Sequence, residues 1–268
     1  MSVSNQLAEI TFRLDVQQKN GIATGTGFLY SAVVNTENNT SQPLLITNKH
    51  VVEDGISGRI IVTVVNTHGK TEHLKVDLTN FPNLWHDHPD KNIDLTAMPI
   101  SSVIAAMQQA GLAPRVKCLF PSDIPTDAEL ESLNFVEDVL MIGYPNGLWD
   151  DVNNYPLFRK GITATHPGKA FKGKKEFVID IAAFPGSSGS PIFLYNEGSY
   201  ATNTGLTIGS RVKILGVLYA GPQYTADGKI IIQTVPTQQM PLSKTLIPMN
   251  LGYAISSQEL LRFVDVFK

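Results

Sequence analysis

Short strand-like segments separated by turns run through most of this sequence and limit the folds it can adopt. Residues 7–16 alternate between apolar and polar, and residues 21–30 follow after an Asn-Gly pair that favours a tight hairpin turn. A two-residue period is typical of strands with one buried face. Residues 59–66 and 74–78 continue this period, and further strands are predicted at 44–47, 139–144, 158–165, 176–183, 191–195, 212–220, 230–235 and 251–255. Turns at short intervals favour all-β barrels over alternating strands and helices.

Two regions break the strand rhythm. Residues 101–137 contain two short helical segments, Ser102–Gly111 and Asp127–Leu133, among prolines typical of a connector. At the end of the chain, Ser256–Glu259 has the spacing of a capping box, and an apolar stripe predicts an α-helix over residues 256–268. The stripe consists of Leu260, Leu261, Val264 and Phe267. With 268 residues the chain is long enough for two barrels or one large domain.

A glycine- and serine-rich run, Phe184–Pro191, is the strongest chemical signal in the chain. Ser188 lies between glycines on a predicted tight turn, which exposes its hydroxyl as a nucleophile. The amides of Gly186 and Ser188 are expected to converge on one point, as an oxyanion hole requires. Read alone, the same run is also compatible with an ordinary surface turn.

Composition excludes several classes of protein. The chain is 43% hydrophobic and 17% charged, which is ordinary for a globular domain. Its net charge of −3 and lack of a basic cluster argue against nucleic acid or an anionic membrane as a partner. The single cysteine, Cys118, excludes an intramolecular disulfide and points to a reducing compartment. No signal peptide or membrane-spanning run is predicted, so a cytoplasmic protein is expected.

Two upstream segments join the serine run in a recognisable order. His50 lies near the end of the segment Leu44–Val52, and Asp94 lies within Asn92–Thr96. The order of these residues and their local sequences resemble the chymotrypsin-like (trypsin-like) serine peptidases, particularly the bacterial heat-shock and glutamyl-type branch. The resemblance implies two six-stranded antiparallel β-barrels and a C-terminal α-helix, with no residues left for a PDZ domain.

The resemblance implies that the chain forms one peptidase unit, divided as follows. Residues 1–120 form the barrel that carries His50 and Asp94, residues 121–255 the barrel that carries Ser188, and residues 256–268 the helix. The expected activity is hydrolysis of peptide bonds in a polypeptide substrate through an acyl-enzyme, without a cofactor.

Each of the two upstream residues has a plainer interpretation. Considered alone, His50 is a histidine at a strand end, and Asp94 caps a turn. Asp87, Asp90 and Asp138 are rival candidates for the acid, and only the resemblance selects Asp94. Because Asp94 lies between apolar residues, it is expected to be half-buried and to need a partner.

The substrate-binding residues are expectations from the resemblance alone. They are Ala182 and Ala183 at the base of the P1 pocket and Tyr219, Ala220 and Gly221 on the strand that pairs with an extended substrate. These residues carry no charge, so Lys or Arg is not expected at P1, and a small or aliphatic residue is.

Two further residues bear on the P1 preference. Leu218 stands near the position where glutamate-specific relatives have a histidine, which argues against glutamate. His166 is a second candidate to reach the pocket and keeps an acidic or polar P1 residue open.

The segment Phe81–Asp90 is rich in side chains that bind metals. His86 and His88 flank Asp87, but this spacing puts neighbours on opposite faces of an extended chain. A solvated loop is therefore favoured, and no metal site is predicted.

The sequence also bears on how the protein is regulated and on two alternative functions. Ser187 precedes the nucleophile and has no charge to pair with a new N-terminus, so regulation by a partner, an assembly or a distorted oxyanion loop is expected instead. One competing function is a catalytically idle domain that binds or regulates peptides. Another is an all-β sandwich with a lectin-like role.

Overall fold

The first half of the chain forms one antiparallel sheet. The computed structural model describes residues 3–19, 21–35, 40–202, 205–229 and 242–267. The first eight strands are β1 (Thr11–Gln18), β2 (Gly21–Asn35), β3 (Thr40–Thr47), β4 (Ser57–Val65), β5 (Thr71–Leu78), β6 (His86–Asp87), β7 (Thr96–Pro99) and β8 (Ala113–Pro114). They pair in the order β5-β4-β1-β2-β3-β7-β6, with β8 against β4.

This sheet is not a closed barrel in the described part of the chain. Its hydrogen-bonded path runs from β5 to β6 without returning to its start. The prediction of a six-stranded N-terminal barrel is therefore not confirmed; an eight-stranded sheet is found. Strand β5 forms one edge and carries Glu72, Lys75 and Asp77, and charged residues on an edge strand discourage further pairing.

The second half forms the closed six-stranded barrel that the sequence predicts. Its strands are β9 (Asp138–Gly143), β10 (Leu157–Thr163), β11 (Glu176–Asp180), β12 (Pro191–Asn196), β15 (Arg211–Ala220) and β18 (Gly252–Ser256). They close in the order β10-β11-β18-β15-β12-β9. Alternate residues fill the interior: Val139, Met141, Phe177, Ile179, Ile192, Leu194, Leu215 and Ala254. The strand predicted at 230–235 lies outside the described residues.

Two hairpins extend from this barrel and were not expected from the sequence. The first pairs β13 (Ser199–Thr202) with β14 (Gly205–Ile208), and the second pairs β16 (Gln223–Lys229) with β17 (Leu242–Pro248). Neither joins a larger sheet among the described strands.

The helices are short. They are α1 (Val3–Ala8), α2 (Lys49–Val52), α3 (Ser101–Gln109) and α4 (Asp127–Glu131), with 3₁₀ helices at Phe81–Asn83, Pro121–Asp123, Pro145–Gly147 and Ser257–Asp265. Helices α3 and α4 confirm the two helical segments predicted in the connector. Thr126 and Glu129 form a capping box at α4: the Glu129 amide donates to Thr126 Oγ1 at 3.2 Å, and the Thr126 amide to Glu129 Oε2 at 2.7 Å.

The prediction of a strand from residue 7 is wrong at its start. Residues 3–8 form α1, and β1 begins only at Thr11. Leu7 and Ile10 are both buried, and a spacing of three residues puts them on one side of a helical turn. The same spacing would put the two residues on opposite faces of a strand, so the alternation that begins at Ile10 does not extend back to Leu7.

The C-terminal segment is helical, but it is a 3₁₀ helix rather than the predicted α-helix. Its buried apolar residues are Leu260 and Phe263, three residues apart, whereas Leu261 is exposed. This spacing suits a helix with three residues per turn. Glu259 does not close the predicted capping box; its carboxylate lies 3.0 Å from Lys175 Nζ and 3.5 Å from His88 Nε2.

The C-terminal 3₁₀ helix completes a core that both halves share. Leu260 and Phe263 pack in one cluster with Phe28 and Leu95 of the first half and Ile214 of the barrel. The chain end therefore fills the space between the open sheet and the barrel.

The histidine-rich loop also packs against this helix. His86 and Asp87 are exposed, as expected for a solvated loop, but His88 is only 2% exposed, so the expectation is wrong for this residue. Its ring meets Phe263 edge-on at 5.6 Å, and its Nε2 lies 3.2 Å from the Glu259 carbonyl oxygen. The described residues include no group of three or more side chains able to hold a metal ion. None of the helices in the described ranges has the length and apolar character needed to cross a membrane.

Phe263→Ala is expected to remove the aromatic residue that joins the halves. A buried Phe→Ala change costs about 3–5 kcal/mol of unfolding free energy because it leaves a cavity. Chemical denaturation followed by tryptophan fluorescence measures the loss. Leu261→Ala, on the exposed side of the same helix, is the matched control and should change stability by less than about 1 kcal/mol. Equal losses in the two variants would contradict the packing described for this helix.

Candidate active site

His50 and Asp94 lie in direct contact. Strand β3 ends at Thr47, and His50 lies in the single turn of α2 that follows. His50 Nδ1 is 2.6 Å from Asp94 Oδ2, and the His50 amide donates to Asp94 Oδ1 at 3.3 Å. Asn48 Nδ2 donates to the Asp94 carbonyl oxygen at 2.7 Å and fixes the loop that carries the acid. Asp94 is half-buried, as expected.

The rival acids are occupied elsewhere or exposed. Asp138 pairs with Lys160 at 3.0 Å, and Asp87 is exposed on β6. Asp90 accepts hydrogen bonds from the Asn92 amide and side chain, which lower its pKa. None of these three forms a hydrogen bond or ion pair with His50, so of the four candidate acids the described structure brings Asp94 to the imidazole.

Ser188 lies on a tight turn pressed against the N-terminal sheet. The Thr26 amide donates to the Ser188 carbonyl oxygen at 2.9 Å, and Thr47 Oγ1 donates to the Thr26 carbonyl oxygen at 2.8 Å. A Cβ atom at Gly189 would lie 1.9 Å from the Thr26 carbonyl oxygen, so only glycine permits this approach. Since Thr47 is three residues before His50, these contacts bring the serine turn to the strand that leads into the histidine.

No hydrogen bond joins Ser188 Oγ to the His50 ring. Neither Ser188 Oγ nor His50 Nε2 has a hydrogen-bond partner within the described ranges, whereas the His50–Asp94 contact is formed. In unliganded enzymes the bond between nucleophile and base is often long and tightens only when substrate binds.

The amides of Gly186 and Ser188 are available to a ligand. Neither donates to a protein acceptor in the described part of the chain, although the amides of Ser187, Gly189 and Ser190 in the same turn all do. Gly186 has a φ of +84°, and a Cβ atom there would lie 2.4 Å from the Tyr144 carbonyl oxygen. Residues 182–188, which we call the oxyanion loop, therefore present two unpaired N–H groups beside the nucleophile.

A buried threonine supports the oxyanion loop from the other half of the molecule. Thr26 Oγ1 donates to the Gly186 carbonyl oxygen at 2.8 Å and accepts from the Tyr144 amide at 3.2 Å. The Asn146 amide donates to the Pro185 carbonyl oxygen at 2.6 Å. Sequence reasoning missed these residues. Their signal is the Gly-Thr-Gly run at 25–27, whose glycines let Val51 and Leu45 pack closely.

A guanidinium supports the same loop from the barrel. Arg159 Nη1 donates to the Ala182 carbonyl oxygen at 2.7 Å, and Nη2 donates to Ser187 Oγ at 2.8 Å. Ser187 is fully buried, and burial lowers the pKa of Arg159. The sequence showed that Ser187 has no charge but did not indicate that a cation lies against it, because Arg159 is distant along the chain.

Two of the predicted substrate-binding residues, Gly221 and, in the oxyanion loop, Ala183, approach each other closely. A Cβ atom at Gly221 would lie 2.5 Å from Ala183 Cβ and 2.9 Å from the Leu251 carbonyl oxygen, so these backbones nearly touch. Ala182 and Ala183 are half-buried, and the pairing of β15 with β18 shifts register between Leu218 and Ala220.

A cavity of about 500 Å³ opens on the other side of the acid. Asp94, Asn92, Lys175 and Tyr219 are among its lining residues. The Tyr219 hydroxyl donates to Glu176 Oε2 at 2.5 Å, and burial together with this carboxylate raises the tyrosine pKa. The cavity lining therefore includes both the loop that carries Asp94 and one residue of the predicted pairing strand.

His166 does not take the role that the sequence left open for it. Its Nε2 lies 3.0 Å from the Leu133 carbonyl oxygen, and its Nδ1 accepts from the Gly168 amide at 3.1 Å. Both ring nitrogens are therefore used by neighbouring loop backbone, and the ring is buried.

Comparisons with known proteins agree with this architecture. A family model described as "Trypsin-like peptidase domain" matches residues 25–200. Among solved structures, the HtrA-type protease AlgW with tripeptide is 14% identical with a TM-score of 0.52, covering 100% of this chain and 64% of its own. A serine endoprotease from Yersinia pestis is 14% identical with a TM-score of 0.50, covering 100% of this chain and 67% of its own.

A third solved structure is similar over its full length. The thermostable serine protease AL20 from an extremophilic microorganism is 14% identical with a TM-score of 0.50, covering 98% of this chain and 100% of its own. At this identity the solved structures support the fold alone. No curated protein matches the sequence.

Thr26→Val is expected to disrupt the buried network that supports the oxyanion loop. Valine keeps the shape but loses the bond to the Gly186 carbonyl and leaves the Tyr144 amide unpaired, at a cost of about 1–3 kcal/mol of unfolding free energy. Thr24→Val is the control on the same strand, because Thr24 Oγ1 makes only a half-buried bond to Asp15 at 3.3 Å. Denaturation midpoints compare the two, and a loss in Thr26→Val no larger than in Thr24→Val would be inconsistent with the network.

Proposed function

The chain belongs to the trypsin-like peptidase family, and on that premise we propose that it is a serine endopeptidase acting through His50, Asp94 and Ser188. The observation that carries the proposal is the 2.6 Å contact between His50 Nδ1 and Asp94 Oδ2. It leaves His50 Nε2 as the nitrogen that can accept a proton. The two unpaired amides of the oxyanion loop supply the second requirement for acyl transfer.

The proposed reaction has two stages. Ser188 Oγ attacks the peptide carbonyl carbon and its proton passes to His50 Nε2, while the carbonyl oxygen becomes an oxyanion bound by the amides of Gly186 and Ser188. The C–N bond then breaks, and His50 returns the proton to the leaving amine. Water attacks the carbonyl carbon of the acyl-enzyme and gives a proton to His50 Nε2. The ester C–O bond then breaks, His50 returns the proton to Ser188 Oγ, and the carboxylic acid product leaves.

Asp94 acts through the histidine. Its carboxylate holds the imidazole in the tautomer with the proton on Nδ1 and stabilises the imidazolium that forms in each stage. The bond from the His50 amide to the same carboxylate fixes the relative orientation of the two residues.

The proposed substrate is an extended polypeptide. The backbone of Tyr219–Gly221 pairs with it as an added strand, and the cavity beside Asp94 accommodates residues on the N-terminal side of the cleaved bond. The close approach of Gly221 to Ala183 leaves little room between them, which supports a small or aliphatic residue at P1. Site chemistry of this kind needs no cofactor.

We also propose a cellular location for the protein and a form of control of its activity. One cysteine, Cys118, fits a cytoplasmic location, where disulfides do not persist. A protease in that compartment needs restraint, and we propose that a protein partner or an assembly controls the oxyanion loop.

A catalytically idle peptide-binding domain is the second candidate. The observation that favours it is the lack of a hydrogen bond between Ser188 Oγ and the His50 ring in the described structure. The two candidate functions predict opposite reactivities for the Ser188 hydroxyl.

A fluorophosphonate probe, which reacts with activated serines, separates the candidates. We expect it to label the wild type but not Ser188→Ala. Ser132 is exposed on the connector, so Ser132→Ala is the control and should be labelled like the wild type. An unlabelled wild type that still binds peptides would support the idle domain instead.

Asp94→Asn should lower kcat on a peptide ester on the order of 10⁴-fold, because the amide favours the wrong imidazole tautomer. Asp87→Asn is its exposed control.

A peptide library with all residues at P1 tests the pocket. Substrates with Ala or Val at P1 should be cleaved faster than those with Lys or Arg, because no carboxylate lies at Ala182 or Ala183 to pair with a cation. Mass spectrometry of the cleavage products gives the preference, with Ser188→Ala as the blank. Fastest cleavage after Lys or Arg would show that the P1 part of the proposal is wrong while leaving the triad intact.

A further inference from the structure

We propose that Arg159 is a positioning residue that keeps the oxyanion loop in the shape that binds the tetrahedral intermediate. The inference rests on the proposed function. It assigns to one barrel residue the role of holding the two ends of the loop at a fixed distance.

The guanidinium spans the oxyanion loop. Its two bonds, 2.7 Å to the Ala182 carbonyl oxygen and 2.8 Å to Ser187 Oγ, reach the start of the loop and the residue before the nucleophile. Both distances are at the short end of the range for N–H···O bonds, as is typical of a charged donor. Because the guanidinium is planar and its N–H groups point in fixed directions, the two bonds set the separation of the loop ends.

The base of Arg159 is anchored in the barrel wall. Arg159 lies on β10, directly opposite Met141 of β9 in the antiparallel pairing, and its Nη2 lies 3.9 Å from Met141 Sδ. Its Cζ is 5.9 Å from the centre of the Phe184 ring, at the middle of the oxyanion loop. A side chain that leaves a closed barrel and contacts the start, middle and end of the loop transmits the rigidity of the barrel to it.

The charge of Arg159 is not balanced by an acid. No carboxylate forms an ion pair with it within the described ranges, and its buried Nε atom has no hydrogen-bond partner. Its neighbour Lys160 points the other way and pairs with Asp138 at 3.0 Å. A half-buried cation without a counter-charge costs folding free energy, so stability alone does not account for it.

A function for the loop accounts for both the bonds and the charge. Gly186 and Ser188 present their amides only when the loop holds its turn, and Ser187 lies between them. A cation bonded to Ser187 also favours negative charge at the neighbouring oxyanion site. Thr26 supports the Gly186 carbonyl from the sheet side, so Arg159 provides the matching support from the barrel side.

Arg159→Met keeps the length of the side chain and removes both bonds and the charge. We expect kcat on a peptide ester to fall about 10²–10³-fold, the size of effect seen when an oxyanion donor is lost, with KM changed by less than about threefold. Arg159→Lys should recover part of the loss, because a single ammonium group cannot hold both acceptors in the same geometry. Ser187→Ala removes one bond and should cost about tenfold. Lys160→Met, on the same strand with its side chain in solvent, is the control and should leave kcat unchanged.

Two further measurements separate positioning from a merely structural role. A peptide boronate forms a tetrahedral adduct with the serine, so its inhibition constant should weaken in Arg159→Met by the same factor as kcat/KM falls. Millimolar methylguanidinium should restore part of the activity of Arg159→Ala and have no effect on the wild type. Thermal denaturation of each variant confirms that the barrel is folded.

Hydrogen exchange tests the positioning without turnover. In the Ser188→Ala background, Arg159→Met should speed exchange at residues 182–188 but not in β12. Unchanged exchange there, or a change in kcat below threefold, would overturn the inference. A loss confined to substrates with acidic P1 residues would also overturn it, since Arg159 would then be a receptor for substrate charge. If the wild type is not labelled by the fluorophosphonate probe, the proposed function fails, and the exchange measurement still decides whether Arg159 holds the loop.

Discussion

The site depends on the hydrogen bonds that join the serine turn to the N-terminal sheet. The Thr26 amide donates to the Ser188 carbonyl oxygen, and the Thr26 hydroxyl donates to the Gly186 carbonyl oxygen. The Thr47 hydroxyl donates to the Thr26 carbonyl oxygen. These groups are buried, and an unpaired buried polar group is costly, so the bonds hold the two halves in one register. Because the histidine and the serine belong to different halves, their alignment depends on this seam, on the shared core beside it and on further bonds between the halves, such as that from the Tyr144 hydroxyl to the Thr11 carbonyl oxygen.

Local sequence patterns predicted the elements that depend on local physics. The six strands of the barrel follow from short apolar segments bounded by turns, and α4 follows from a short helical pattern in the connector, which the reciprocal capping of Thr126 and Glu129 stabilises. The C-terminal helix type was missed because Leu260 and Phe263 are placed by a partner core, and both helix types fit the same short apolar stripe. The N-terminal helix was missed because the alternation that begins at Ile10 was extended back to Leu7, which is out of phase with it.

The residues of the candidate site also differ in how far their local sequence predicts their role. The serine run carries its own signal, because the positive φ of Gly186 and the crowded position of Gly189 demand residues without side chains. His50 and Asp94 needed the family resemblance, since nothing in their own sequences states that they meet. Arg159 has no local signal for its role, and the Gly-Thr-Gly run at 25–27 marks Thr26 only as a place of close packing; each residue reaches the oxyanion loop from a distant strand. Contacts of this kind follow from the closed barrel and the seam, which a single sequence does not display.

The position of the C-terminal 3₁₀ helix has a consequence for biosynthesis. Until residues 257–265 have left the ribosome, Phe28 and Leu95 have no cover on one side, and His88, in the loop that leads to Asp94, lacks the Glu259 backbone it contacts. A nascent chain can form its sheet and barrel strands earlier, but the loop that holds the acid settles only when residues 257–265 dock. The polypeptide is therefore expected to lack a complete triad until this segment has been synthesised and has packed between the two halves.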